Sequence, residues 1–256
     1  MKIGFCAGVE KAAEIKEWGF DFIELALAPL AQLNDEEFAH TLAVLRQSGL
    51  PCLACNVLLP GSIPVVGPRV DPDACRDYLT LALRRAASLG AGKVVFGSGG
   101  SRSVPGGFPA SRALTQLIDF AGLAAGIAAQ HQITIVLEPL NSIECNIVNR
   151  VSEALILAQA VNHPHFKVLA DFYHMQVEQE SLQSLVMAGA DLRHVHIANC
   201  WGRKIPLAAD APQMAGLVSL LLEIGYTGDL SLEAGFRADQ AAEARESLAI
   251  FHRLLA

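Results

Sequence analysis

The sequence predicts an α/β fold, a single (β/α)8 TIM barrel, and three observations carry that reading. Short β-branched or apolar runs alternate with amphipathic stretches of helical length; eight such units follow one another; and 256 residues suit one barrel with a large core. An open doubly wound sheet is the second choice, and the count of eight units favours closure. No linker or low-complexity stretch divides the chain, so residues 1–256 are read as one domain.

The strands are expected at residues 2–6, 22–26, 52–57, 93–97, 134–138, 167–171, 194–198 and 230–233. The helices between them are expected at 9–18, 35–47, 72–88, 111–130, 152–160, 180–188, 212–223 and 240–255. Asn34 precedes Asp35-Glu36-Glu37, and Ser152 precedes Glu153, both as N-cap signals. Gly49 and Gly90 stand just after helices, where a left-handed residue ends the last turn. The longest irregular segments, 58–71 and 98–109, each follow a strand directly, on the face where barrel enzymes place their sites.

Composition narrows the partners. Apolar residues make up 52% and charged ones 18%, so much of the chain must lie inside something. No apolar run reaches the roughly 18 residues of a membrane-spanning helix, which leaves a packed core and a subunit interface; a homo-oligomer, dimer or tetramer, is expected. The charge is 19 − 26 = −7 without a basic stripe, a poor match to nucleic acid or anionic membranes. Of six cysteines only Cys52 and Cys55 are close, within an apolar run, so reduced thiols and a cytoplasmic location are expected.

The chemistry concentrates at strand ends. Glu138 follows Ile-Val-Leu, Asp171 follows Val-Leu-Ala, His196 lies within His-Val-His-Ile-Ala, and Glu233 follows Leu-Ser-Leu. Residues at the carboxyl ends of barrel strands point to one axial pocket, so these four can converge. Three carboxylates and an imidazole suit one six-coordinate Mn²⁺, Mg²⁺ or Co²⁺ ion rather than a tetrahedral zinc cage. A lone acid there is commonly a helix cap or salt-bridge partner, but three buried together without a cation would cost several kcal/mol. Glu24, read as ending the second strand, is expected to be a substrate ligand or salt-bridge partner, and Asn56, ending the third, a donor to a hydroxyl. His194, two residues before His196, faces the same interior one layer deeper and is read as a core histidine. The turn Gly97-Ser98-Gly99-Gly100-Ser101-Arg102 reads either as a cradle for a phosphate or polar sugar end, or as a plain loop.

The segments Leu137-Glu138-Pro139-Leu140-Asn141, Ala170-Asp171-Phe172-Tyr173-His174, His194-Val195-His196-Ile197-Ala198-Asn199 and Leu232-Glu233 resemble the xylose-isomerase-like TIM-barrel superfamily, closest to its sugar (phosphate) isomerase/epimerase branch, with ketose 3-epimerases and hydroxypyruvate isomerase as relatives. The resemblance implies that Glu138, Asp171, His196 and Glu233 hold one divalent cation and that Glu138 and Glu233 form an acid/base pair. It implies further that Glu144, His174 and Arg203 bind substrate around its carbonyl. The expected activity is isomerisation or epimerisation of a ketose or other small carbonyl sugar, free or phosphorylated, through a metal-stabilised enediolate. Alternatives are a lyase or dehydratase, or a hydrolase of the same superfamily. An endonuclease-IV-like enzyme would need further histidines at other strand ends and a basic surface, which the chain lacks; a non-catalytic barrel would show degraded ligands. Many relatives follow the arginine with Gly-Glu-Pro-Gly, where this chain reads Lys204-Ile205-Pro206-Leu207, a departure that bears on the substrate.

Overall fold

The computed structural model of the chain describes residues 1–255. Eight parallel strands close into a barrel in sequence order, with the first pairing the last. They are β1 (Ile3–Cys6), β2 (Phe22–Ala26), β3 (Cys52–Asn56), β4 (Lys93–Phe96), β5 (Thr134–Leu137), β6 (Phe166–Asp171), β7 (Leu192–Ile197) and β8 (Asp229–Leu232). Expected and observed ends agree within a residue or two. Glu138 and Glu233 lie one residue past β5 and β8, yet their amides still donate to the Phe96 and Ile197 carbonyls, at 3.2 and 3.1 Å, so both remain held by the sheet.

Helices cover the outside. The one at Asp35–Ser48 opens as expected: the Asn34 side chain accepts from the Glu37 amide and the Glu37 carboxylate accepts from the Asn34 amide, both at 2.9 Å. Gly49 and Gly90 close their helices in the left-handed conformation, where a Cβ would be strained. Ser152 is not a cap. The helix runs Val151–Val161, and its first amides are met from outside by Glu180, which accepts from Val151 at 3.0 Å. The helix expected at 180–188 begins at Gln183. Three short helical segments, Leu27–Gln32, Gly99–Arg102 and Phe172–Val177, escape the periodicity because each is too brief to show a face.

Two apolar layers result. The larger lies between sheet and helices; a small one, Val95, Val136 and Leu169, fills part of the lumen. The remainder of the lumen is polar, with Glu24, His194, His196 and Ser231 all fully buried. An aromatic group ties the last loop to the barrel: Phe236 stacks on Phe5 with centroids 5.2 Å apart and meets Trp18 edge-on at 5.6 Å. Each such pair adds about 0.5–1.5 kcal/mol beyond area burial, and together they anchor the segment that begins with Glu233. Among the described residues no helix is long and apolar enough to cross a membrane.

Candidate active site

Four strands bring the expected ligands together. One ligand atom from each of Glu138, Asp171, His196 and Glu233 lies within 4.8 Å of the others. Asp171 and His196 are register partners across β6 and β7, so their side chains leave the sheet side by side. Glu138 reaches the group because position 97 is glycine; a Cβ there would collide with its carboxylate. His196 Nδ1 stands 3.3 Å from Glu138 Oε1 and 3.3 Å from Glu233 Oε2. Glu138 Oε1 and His196 Nδ1 are nonetheless buried without an aligned hydrogen bond. Unsatisfied buried atoms of this kind are rare in a folded chain, and three carboxylates with one imidazole are a donor set for Mn²⁺, Mg²⁺ or Co²⁺. The residues present fit such an ion.

Arg203 reaches into the same group. Arg203 Nη2 contacts Asp171 Oδ2 at 3.0 Å and also pairs with Glu233, while its guanidinium lies 4.9 Å over the Tyr173 ring. Burial opposes the charge on Glu233, but His196 and then Arg203 hold its carboxyl down at about 2. Burial works against a charged His196, yet Glu24 and Glu233 lift it well above the usual imidazole range. Burial raises the Asp171 carboxyl against the pull of His174 and Arg203, and Glu138 and Glu233 raise it further.

Arg203 owes its place to the loop after β7. That loop is pinned to the loop after β8 by hydrogen bonds from Gly235 N to Arg203 O and from Ile205 N to Gly235 O, both 2.9 Å. Arg203 itself has φ of +53°, a left-handed conformation that costs about 1 kcal/mol or more in a non-glycine residue and marks an over-determined site. Its other terminal nitrogen lies 3.7 Å from Glu144 Oε1. His174 is buried beside Asp171, with Nε2 3.5 Å from Asp171 Oδ2. Its Nδ1 accepts from the backbone and side-chain nitrogens of Asn141 at 3.2 and 2.8 Å, which leaves the ring proton on Nε2. That Nε2 has no aligned partner. Asn141 and Tyr173 had no role in the sequence reading, although both lie in the motifs that carry the resemblance; their work is to orient neighbours, which spacing alone does not reveal.

Asn56 sits at the edge of the group and donates from Nδ2 to Glu233 Oε1 at 3.2 Å. It also lines a cavity of about 450 Å³ that includes Cys6, Val9, Leu25, Pro29 and Glu233. Glu24 is a correction. It is fully buried beneath His196, with its oxygens on His196, His194 and Ser231, so it is a salt-bridge partner and not a substrate ligand. The reason is depth: β2 continues to Ala26, two residues beyond Glu24, which sets the carboxylate below the mouth. Cys6, Glu24 and His196 also come close together, but burial and then Glu24 push the Cys6 thiol up, and both Glu24 oxygens already accept hydrogen bonds. The glycine-rich turn does not hold its arginine out towards a ligand. Its single helical turn swings Arg102 inward, where the buried guanidinium donates to the Glu138 carbonyl at 2.8 Å.

The fold and the site define a barrel protein with an oxygen-rich ligand cluster at the carboxyl ends of its last four strands. The chain belongs to the family described as Xylose isomerase-like TIM barrel, whose model matches residues 12–254. Its relatives include the D-psicose 3-epimerase of Ruminiclostridium cellulolyticum, 26% identical over 246 residues, covering 88% of this chain and 76% of that protein. The L-ribulose 3-epimerase of a Methylomonas species is 29% identical over 248 residues, covering 89% and 79%. A crystal structure of D-psicose 3-epimerase in the presence of D-fructose superposes with a TM-score of 0.87 at 19% identity, covering 100% of this chain and 99% of that one, a likeness of fold.

Proposed function

We propose that the chain is a metal-dependent sugar isomerase/epimerase acting next to the carbonyl of an unphosphorylated ketose. The observation that carries this is the convergence of Glu138, Asp171, His196 and Glu233, with Glu138 Oε1 and His196 Nδ1 left without partners. Those four would hold the ion. Once bound, a divalent cation supplies Lewis-acid stabilisation of charge developing on the substrate's carbonyl oxygen.

The rest is the work of the chain's own side chains. Glu138 and Glu233 rise from β5 and β8 and can flank a small substrate. Glu138 takes the proton from one face of the carbon and Glu233 returns one to the other, which inverts the centre; one carboxylate shuttling the proton between adjacent carbons gives isomerisation instead. His174 offers its unpartnered Nε2–H to a substrate oxygen. Arg203 and Glu144, 3.7 Å apart, offer a donor and an acceptor to hydroxyls around the carbonyl. Relatives named D-psicose 3-epimerase and L-ribulose 3-epimerase support a ketose and the third carbon. The cavity beside Glu233 has no Lys or Arg in its lining and does contain Glu10, which favours a neutral sugar end over a phosphate.

Homo-oligomerisation and a cytoplasmic setting belong to the same proposal. Exposed Ile143, Ile156, Met187 and Trp201 support the first, and six unbridged cysteines the second; sedimentation of the purified chain tests the assembly. The activity is tested by incubating free and phosphorylated ketoses with the protein in D₂O, with and without Mn²⁺. Deuterium at C3 of a free ketose is expected, and Glu138→Gln or Glu233→Gln should lower exchange about 10²–10⁴-fold, the usual worth of general acid–base catalysis, with the fold retained. Transfer between C1 and C2 would mean isomerase, loss of water a lyase, and no exchange with any carbonyl sugar would overturn the reading.

A further inference from the structure

Directly beneath the candidate ligands lies a carboxylate that the proton transfer does not use. Glu24 on β2 is 0% exposed, as are His194 and His196 on β7 and Ser231 on β8. Its Oε1 accepts from His196 Nε2 at 2.8 Å; its Oε2 accepts from Ser231 Oγ at 2.6 Å and from His194 Nε2 at 2.8 Å. Among the described residues no Lys or Arg pairs with it. A carboxylate taken this deep is kept only where both oxygens find donors, and three donors from two neighbouring strands meet this one.

The geometry has a consequence for His196. To ligate an ion His196 must give up one ring proton, and a neutral imidazole that donates from Nε2 carries its lone pair on Nδ1. Here Nδ1 is buried, lacks an aligned partner, and lies between Glu138 Oε1 and Glu233 Oε2, 3.3 Å from each. Without an acceptor behind it, nothing at Nε2 favours this tautomer over the one that carries its proton on Nδ1.

We propose that Glu24 is a positioning residue for the metal site: it takes the Nε2–H of His196, and thereby fixes the tautomer and ring orientation that aim Nδ1 at the ion. Ser231 and His194 clamp its second oxygen so that the carboxylate does not rotate away. The proposal rests on reading Glu138, Asp171, His196 and Glu233 as ligands, and it extends that reading to a residue that touches neither ion nor substrate.

Two measurements on the purified full chain test it. Mn²⁺ is titrated calorimetrically into the metal-stripped wild type and Glu24→Gln, a change that keeps shape and removes the charge. Separately, the ring nitrogens of His196 are observed by NMR in the Mg²⁺-loaded wild type, assigned with His196→Gln. Glu24→Gln should bind Mn²⁺ about 10–100-fold more weakly, the usual effect of losing a partner behind a ligating histidine. The loaded wild type should carry a proton on Nε2 of His196 and none on Nδ1. Wild-type affinity in Glu24→Gln overturns the proposal while leaving the metal reading standing; a proton on Nδ1 in the loaded wild type overturns the proposal together with His196 as a ligand. A wild type that takes up no Mn²⁺ overturns both. If Glu24→Gln does not fold, Ser231→Ala, which removes one donor clamping the Glu24 carboxylate, is titrated in its place and should also bind Mn²⁺ more weakly; wild-type affinity there overturns the proposal.

Discussion

Glu233 shows how one side chain couples stability to the site. Its carboxyl has an ordinary value of 4.5 and is held at about 2 in the fold, by His196 and Arg203 against the cost of burial. A folded value below the unfolded one means stability that is fully present above 4.5 and lost as pH falls toward 2. The melting temperature of the metal-free Glu233→Gln variant, followed by circular dichroism, should therefore fall less steeply across that window than the wild type's; an equal slope would contradict the pairing. Asp171 works in the opposite sense. Its folded carboxyl is raised by burial above 3.8, so its contribution is present below that value and lost as pH rises through the folded one. The sequence makes the four candidate ligands legible because each stands at a strand's carboxyl end, where direction is dictated by the barrel. Glu24 was harder to read. One pleat of depth separates a residue at the mouth from one beneath it, and a run such as Phe22–Ala26 does not announce where its pairing stops.

The loops after β7 and β8 act as one element. Backbone bonds between Arg203, Ile205 and Gly235 fix a left-handed Arg203 over Tyr173, and its planar fork sets Nη2 between Asp171 and Glu233 while Nη1 faces Glu144. A lysine keeps the charge but not the fork. Charge-assisted hydrogen bonds are worth about 1.5–3 kcal/mol, so Arg203→Lys should lower kcat/KM about tenfold to a hundredfold, measured by steady-state kinetics on the preferred ketose, with the melting temperature changed little; an unaffected kcat/KM would remove Arg203 from the site. Element ends with side-chain signals could be read in advance, as the capping box at Asn34 and Glu37 shows. Those satisfied from a distance could not: Glu180, 29 residues along the chain from Val151, serves that helix in place of Ser152. The turn holding Arg102 was opaque for a similar reason, since glycines and hydroxyls describe its flexibility and not the direction in which four residues will fold.

Across the whole molecule, the barrel concentrates charge it could not otherwise hold. Sheet closure carries Glu24, Glu138, Asp171 and Glu233 to one axis, and His196 and Arg203 partly offset them. Closure, strand order and the face bearing the site all follow from eight repeated units, and so were readable from the chain. What fills the loops above that face follows from contacts between distant segments, which is why the sugar is argued from cavity lining and not from a motif. An ion that binds the folded chain alone should raise its stability with concentration, by about 2.7 kcal/mol at a hundred times its Kd. The central claim is that one divalent cation binds where β5 to β8 end, and an anomalous difference map from crystals of the Mn²⁺-loaded protein tests it most directly. A single peak bounded by Glu138, Asp171, His196 Nδ1 and Glu233, with Arg203 drawn back from the carboxylates, is the expected result. Crystals grown in saturating Mn²⁺ with no peak at that position, or with the ion held by other residues, would contradict it.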